Sequence, residues 1–385
     1  MWITDREGAM IARKRDDDNQ ALAVTLSVLL VACLIVFALV VCTVCVVCVI
    51  VGRQREGGGG MLRPAASTGG PSIVLFVNAR DESHLHEWVV HHLLLGFTGI
   101  VIFDHMSIVP IASVIQHPRV TVIRISDDDF TTNSMKTELM DRAVGHAREH
   151  GVDWLMYLDA DEFLVLPQLS SVQALVRSGL QRAPGCDQFT LNWLMFGSAY
   201  KDVDDPQATM VSQYTRSEGA FFHLVKSLVR VAAVAGPSVN PHFFTTHGSK
   251  PFNLTFHDHV TETHCEGAQH GFYAFFKPGP ASSPPPPPTS STSVATFPSH
   301  SLESVQPPPS AYIAHYVYQA YDAYLRRKVN LPRDDDTSKF RDVMPREEFH
   351  AQYNAIANDA VNRRYSARIK KNLGFVNARS PALRM

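Results

Sequence analysis

The chain has 385 residues, 45% of them hydrophobic, and a formal net charge of −2. That is enough apolar material for one large domain or two small ones. The balanced charge excludes a global field that would gather nucleic acid or an acidic membrane surface.

Residues 1–20 read as a short cytosolic tail. Residues 21–51 carry no charge and are almost wholly apolar, longer than the roughly 20 residues a helix needs to cross a bilayer and far longer than the core of a cleaved signal. A transmembrane anchor is expected there. Basic residues lie on both sides (Arg6, Arg13, Lys14 and Arg15 before, Arg53, Arg55 and Arg63 after) and favour a cytosolic N-terminus only slightly. Residues 52–71 form a Gly-rich stalk.

Periodicity then predicts a strand over Ser72 to Asn78 and a helix over Ser83 to Leu95, stopped at Gly96. It predicts strands over Ile100–Phe103 and Val120–Ile125, a helix over Asn133–His150, and strands over Trp154–Leu158 and Phe189–Phe196. Alternation of this kind implies an α/β fold, a mainly parallel sheet with helices on both faces. Residues 278–309 are rich in Pro and Ser and cannot build a core. They read as an insertion between residues 72–277 and the C-terminal part, 310–385. That part opens with a short strand and an amphipathic helix from Ala311 and holds a basic tail segment, Arg363 to Lys371.

The chemistry concentrates at Asp159-Ala160-Asp161-Glu162, directly after the strand Trp154–Leu158. Ligands of open α/β sheets bind at the carboxyl ends of strands. Two carboxylates there repel unless a cation joins them, and oxygen ligands suit Mg²⁺ or Mn²⁺, which commonly accompany phosphates. The acidic run Asp127–Asp129 reads as a solvated turn, and His257-Asp258-His259 with His264 as a polar loop. Cys186 and Cys265, the two cysteines beyond the apolar span, permit either a disulfide or two separate thiols. Asn253-Leu254-Thr255 is a glycosylation sequon.

Several blocks recur in order: Asn78-Ala79-Arg80-Asp81-Glu82, Glu87-Trp88, His91-His92, Leu95-Gly96-Phe97, Ile100 to Asp104, Asp153 to Phe163, Leu191 to Ser198, Val225 to Arg230, Pro241-His242-Phe243 and Ile313 to Tyr316. Together they resemble family 92 and related family 2-like glycosyltransferases. The first block departs from that family's common Lys-Asn-Glu, and the Pro-rich insertion interrupts the region before His315.

The resemblance implies a GT-A (Rossmann-like) fold, a UDP-sugar donor, a glycan or glycoconjugate acceptor, Mn²⁺ or Mg²⁺, and transfer with inversion, plausibly of galactose. It implies Asp159 and Asp161 as metal and donor ligands and His315 as a third metal ligand, with His242 as the other candidate. Arg80, Glu82 and Asp104 would lie along the nucleotide, and Asn192 and Trp193 on the acceptor side, Trp193 against a sugar ring. Glu218, Asp202 and Asp258 are alternative general bases. With the anchor, a type II Golgi protein with a luminal body is expected. The competing reading is a membrane-anchored carbohydrate-binding protein of the same fold without turnover. A nucleotidyl- or phosphoryl-transferase would be expected to carry a GxxxxGK[ST] loop, which the chain lacks.

Overall fold

A computed structural model describes residues 70–132, 134–247, 251–259, 262–264, 273–275, 309–333 and 336–376. These belong to the unit Leu62–Met385. The expected anchor, stalk and Pro-rich insertion lie outside the described residues, and among the described residues no helix is long and apolar enough to cross a membrane.

The first half alternates strand and helix: β1 (Ile73–Ala79), α1 (Leu85–Leu94), β2 (Gly99–His105), β3 (Val120–Ile125), α2 (Met135–Glu149) and β4 (Trp154–Tyr157). β1 pairs in parallel with β2 on one side and β4 on the other, and β2 pairs in parallel with β3. Every residue of β1 is buried, as a strand covered on both faces requires. Ile73, Leu75, Val77 and Ala79 pack with Leu85, Trp88 and Val89 of α1. Val74 and Phe76 pack with Met135, Leu139 and Ala143 of α2. The period-2 alternation of a strand thus supplies two cores. α1 ends before Gly96, whose φ of +92° is the left-handed cap that stops a helix.

The second half is mixed. After β5 (Glu162–Val165) and α3 (Val172–Arg182) come β6 (Gln188–Met195), β7 (Arg216–Ser217) and β8 (Val225–Arg230). β8 lies antiparallel between β4 and β6, and β9 (Phe252–Asn253) and β10 (Asp258–His259) extend the sheet beyond β6. A separate pair is formed by β11 (Glu262–His264) and β12 (Tyr273–Phe275). β13 (Tyr312–His315) inserts between β5, antiparallel, and β6, parallel. β14 (Ile356–Ala357) pairs with β7.

Two expectations change in the C-terminal part. The helix expected after Ala311 is only Tyr321–Tyr324, followed by a π turn over Leu325–Val329. The basic segment Arg363–Lys371 is no tail but part of α4 (Ala360–Asn372), which buries Val361, Tyr365 and Ile369. The Tyr365 hydroxyl accepts a hydrogen bond from the Leu166 N–H at 2.9 Å.

The motifs of α1 serve the fold. Trp88 Nε1 donates to the Glu162 carbonyl at 2.7 Å, and His91 Nε2 to the Leu164 carbonyl at 2.8 Å. They fasten the helix to β5. Burial lowers the His91 pKa to about 4. Glu87 accepts from the N–H groups of Met210 and Val211, yet burial raises its pKa to about 7. Gly197 approaches the chain closely: a Cβ there would lie 2.5 Å from the Gln352 carbonyl.

The sequon is closed. Asn253 is fully buried. Its amide donates to Thr190 Oγ1 and Asn192 Oδ1, and its oxygen accepts from the N–H groups of Thr255 and Phe256. Nothing remains to carry a glycan. Asn253 should be unmodified in peptide mass spectra of the chain produced in a glycosylating host. Asn253→Ala should lower the unfolding free energy by at least about 2 kcal/mol, because it strands buried partners.

Glu87 sets a pH dependence. A carboxyl whose pKa is higher folded than unfolded keeps its proton longer in the folded chain, so its contribution to stability falls as pH climbs from 4.5 to about 7. His91 acts oppositely, weakening the fold as pH drops from 6.5 towards about 4. Glu87→Gln should flatten the loss between pH 4.5 and 7, a change of up to about 3 kcal/mol. Urea melts at pH 5 and 8 measure it; parallel shifts in both proteins would contradict it.

Candidate active site

The strand order places β2 on one side of β1 and β4 on the other. The crevice at such a reversal is where open α/β sheets bind ligands. Two loops emerge there, Arg80–His84 after β1 and Leu158–Asp161 after β4.

Three acidic groups gather at the second loop. Asp161 and Glu162 are almost completely buried, whereas the Asp159 side chain is 29% exposed. Asp159 Oδ1 is taken by Lys136 Nζ and Oδ2 by Lys226 Nζ at 2.9 Å. Lys136 also donates to Asn78 Oδ1 at 2.6 Å, tying the ends of β1 and β4 together. Lys226 lies 3.3 Å from Glu162 Oε2. Asp161 Oδ2 receives Arg327 at 3.3 Å and Lys328 at 3.1 Å, and Arg327 Nε sits 2.8 Å from Glu82.

These pairs decide the protonation states. Burial opposes ionisation of Asp159, but Lys136 and Lys226 outweigh it and hold the carboxyl far below its usual range. Burial likewise opposes ionisation of Asp161, and Lys328, His315 and Arg327 overcome it. For Glu162 burial wins over Lys226, with Asp159 adding repulsion, and its pKa rises to about 7.

His315 ends β13, directly opposite Glu162 on β5 and Met195 on β6. Its Nε2 lies 3.5 Å from Asp161 Oδ1, beyond an ordinary hydrogen bond. Asp161 Oδ1, Glu162 Oε1, His315 Nδ1 and Trp193 Nε1 are buried without hydrogen-bond partners. Native interiors leave few such atoms, so four in one place mark a position shaped for another group. A divalent cation fits Asp161 Oδ1 and His315 Nε2 as two protein ligands, the pattern of ions that complete their shell with water and phosphate. Among the described residues no group of three or more His, Cys, Asp or Glu is arranged as a cage.

The expected site residues separate into groups. Asp161, His315, Asp159, Glu82 and Arg80 share the crevice edge. Both Asp159 oxygens are held by lysines, Oδ1 by Lys136 and Oδ2 by Lys226, so a cation there would have to share or displace these contacts, whereas Asp161 Oδ1 has no hydrogen bond to give up. Arg80 is half-buried and makes no hydrogen bond or ion pair among the described residues. Asp104 is buried and accepts from the Ser107 and Ile111 N–H groups and from Arg124, bonds that fix its carboxylate in its own loop.

On the other side, Asn192 is buried and bonded to the Phe222 carbonyl and Asn253. It braces the sheet through these bonds. Trp193, its neighbour on the opposite face, is buried too. It stacks on Phe222 with planes 11° apart, and the His315 ring stands against it at 4.4 Å. With Phe222 on one face and His315 beside it, the indole is a wall of the site and not an open platform. His242 lies 5.3 Å from the indole and donates from Nδ1 to the Val225 carbonyl. Burial, then Lys226, lowers its pKa to about 3.

The three base candidates also part. Asp202 is a surface group held by Arg346 and His350, with a pKa near 2 and so little basicity. The side chain of Asp258 and the whole of Cys265 lie outside the described residues; Cys186 is buried and its thiol donates to the Gln188 carbonyl. Glu218 stands across β6 from His315. The Phe196–Ser217 bridge and the Glu218 N–H to Met195 carbonyl bond place Glu218 opposite Met195. Directly opposed residues share a sheet face, so Glu218, Met195, His315 and Trp193 do.

Sequence reasoning overlooked the cations Lys136, Arg327 and Lys328 and gave Lys226 no role. A signal existed for two of them. Lys136 falls on the stripe with Met140 and Val144, and Lys226 interrupts an otherwise apolar strand.

No family model and no curated protein matches the chain. Among solved structures it is similar to glucosyl-3-phosphoglycerate synthase from Mycobacterium tuberculosis in complex with Mn²⁺, UDP-glucose and phosphoglyceric acid (12% identity, 46% of this chain and 63% of that one, TM-score 0.25). It is also similar to a cytidylyltransferase from Leptospira borgpetersenii (12%, 42% and 61%, 0.23). A third likeness is to Rv0371c of Mycobacterium tuberculosis in complex with manganese (14%, 32% and 66%, 0.22). The chain covers less than two thirds of each of these structures. At such TM-scores these likenesses carry no argument about activity.

Lys226→Met should destabilise the chain by about 3 kcal/mol, the usual cost of stripping a buried ion pair of one partner. Adding Glu162→Gln should return part of the loss in thermal melts. Additive losses in the double variant would contradict the pairing.

Proposed function

We propose that the chain is a glycosyltransferase that moves a sugar, galactose in this reading, from a UDP-sugar to a glycan or glycoconjugate hydroxyl with inversion. The observation that carries this reading is the pairing of Asp159 and Asp161 with Lys136, Lys226, Arg327 and Lys328 at the β1/β4 reversal. A crevice built this way suits a ligand that is itself a strong anion, and the partner-free Arg80 on the adjoining loop adds a further cation.

Asp161 and His315 would hold a divalent cation, which supplies Lewis-acid stabilisation to a departing diphosphate. The chain's own groups do the rest. Lys136 and Lys226 fix Asp159 at the lip of the crevice. Arg327, held by Glu82, sets positive charge where negative charge develops, a preorganised stabilisation. Trp193 and Phe222 wall the site against water. Glu218 accepts the proton of the attacking hydroxyl. The resemblance and the apolar run at 21–51 support a type II Golgi protein as part of the same proposal.

A donor panel with and without Mn²⁺ tests this: UDP release should appear with one UDP-sugar, need the cation, and vanish in Asp161→Asn. Glu218→Gln should lose transfer by roughly a hundredfold or more while still binding UDP in calorimetry. Metal-dependent UDP-sugar binding with no release in the wild type would favour a binding protein instead.

A further inference from the structure

Arg327 and Lys328 reach the same carboxylate but are held differently. Arg327 is 6% exposed and fixed by Glu82 as well as Asp161. Lys328 is 23% exposed, and Asp161 is its one ion-pair partner among the described residues. Its contact is to Oδ2, while Oδ1 of the same group has no hydrogen bond and lies 3.5 Å from His315 Nε2. Arg327 is therefore a fixture and Lys328 a side chain on a long stem, placed where it can let go.

We propose that Lys328 is a placeholder for the divalent cation. In the substrate-free chain its ammonium sits on Asp161 and satisfies a buried carboxylate. A cation approaching Oδ1 meets that ammonium and the Arg327 guanidinium at close range, so like charges weaken its binding. A nucleoside diphosphate brings the opposite charge. It draws Lys328 off Asp161 and onto its phosphates, frees the carboxylate, and removes the repulsion. Cation and diphosphate thus bind cooperatively, and by linkage each strengthens the other by the same factor. The chain takes up its metal together with its donor and holds it poorly alone. This inference rests on the proposed function, since it presumes that a cation and a diphosphate meet at Asp161.

Calorimetric titration of the full chain with Mn²⁺, alone and with saturating UDP, tests it. The wild type should bind Mn²⁺ weakly alone and at least tenfold more tightly with UDP. Lys328→Met should bind Mn²⁺ alone at least tenfold more tightly than the wild type, and UDP should strengthen that binding by a smaller factor than it does in the wild type. Lys328→Arg, which keeps the charge, should behave as the wild type does. If Lys328→Met fails to give a native thermal melt, Lys328→Gln takes its place. Mn²⁺ affinity in the neutral variant equal to or weaker than wild type overturns the placeholder role and leaves the proposed function standing. Absence of Mn²⁺ binding in every protein, with UDP present, overturns both.

Discussion

The structure depends on how buried carboxylates are compensated at the end of β4. Taking a charge out of water costs several kcal/mol unless partners replace the lost hydration. Asp159 and Asp161 find them on three separate elements: Lys136 on α2, Lys226 on β8, and Arg327 and Lys328 on the π turn. Each element must be in place for the others to be tolerable. Glu162, with one lysine for its share, is the member that burial inclines to keep its proton.

The same compensation organises the fold around the crevice. Lys136 joins the ends of two parallel strands through Asn78 and Asp159. The Glu162 carbonyl receives Trp88 from α1, and its strand pairs with β13, which delivers His315. The Tyr316 N–H donates to the Asp161 carbonyl at 2.8 Å, and the Phe196 N–H to the His315 carbonyl at 2.9 Å. His315 is thereby positioned by backbone ladders on both sides, a stiffer mounting than a loop would give.

Local pattern made the first half of the chain readable. β1, β2, β3, α1, α2 and β4 each appear within a few residues of the expected span because their apolar periods are set by burial on both sheet faces. The Asp159–Glu162 loop was visible for the same reason, as polar residues after a buried strand. What stayed hidden depends on distant partners. Asn253 looks like any sequon until Thr190, Asn192 and the backbone of Thr255 and Phe256 close on it. Asp104 gives no local sign that Arg124 and two backbone N–H groups fix its carboxylate. Arg327 and Lys328 fall in the expected helix after Ala311 with no local mark of a site, and only the π turn shows that these two consecutive side chains reach Asp161.

The return of the chain after residues 256–309 has a further consequence. The Ser310 N–H donates to the Leu254 carbonyl at 3.2 Å, and Thr255 Oγ1 donates to the Ala311 carbonyl at 3.0 Å. Departure and re-entry points are therefore stitched side by side, and β13 starts from a fixed origin. Lengthening a tethered excursion is thermodynamically cheap, about 0.6 kcal/mol per doubling. The imidazole that β13 carries therefore keeps its place through these two bonds, whatever the length of chain that joins them.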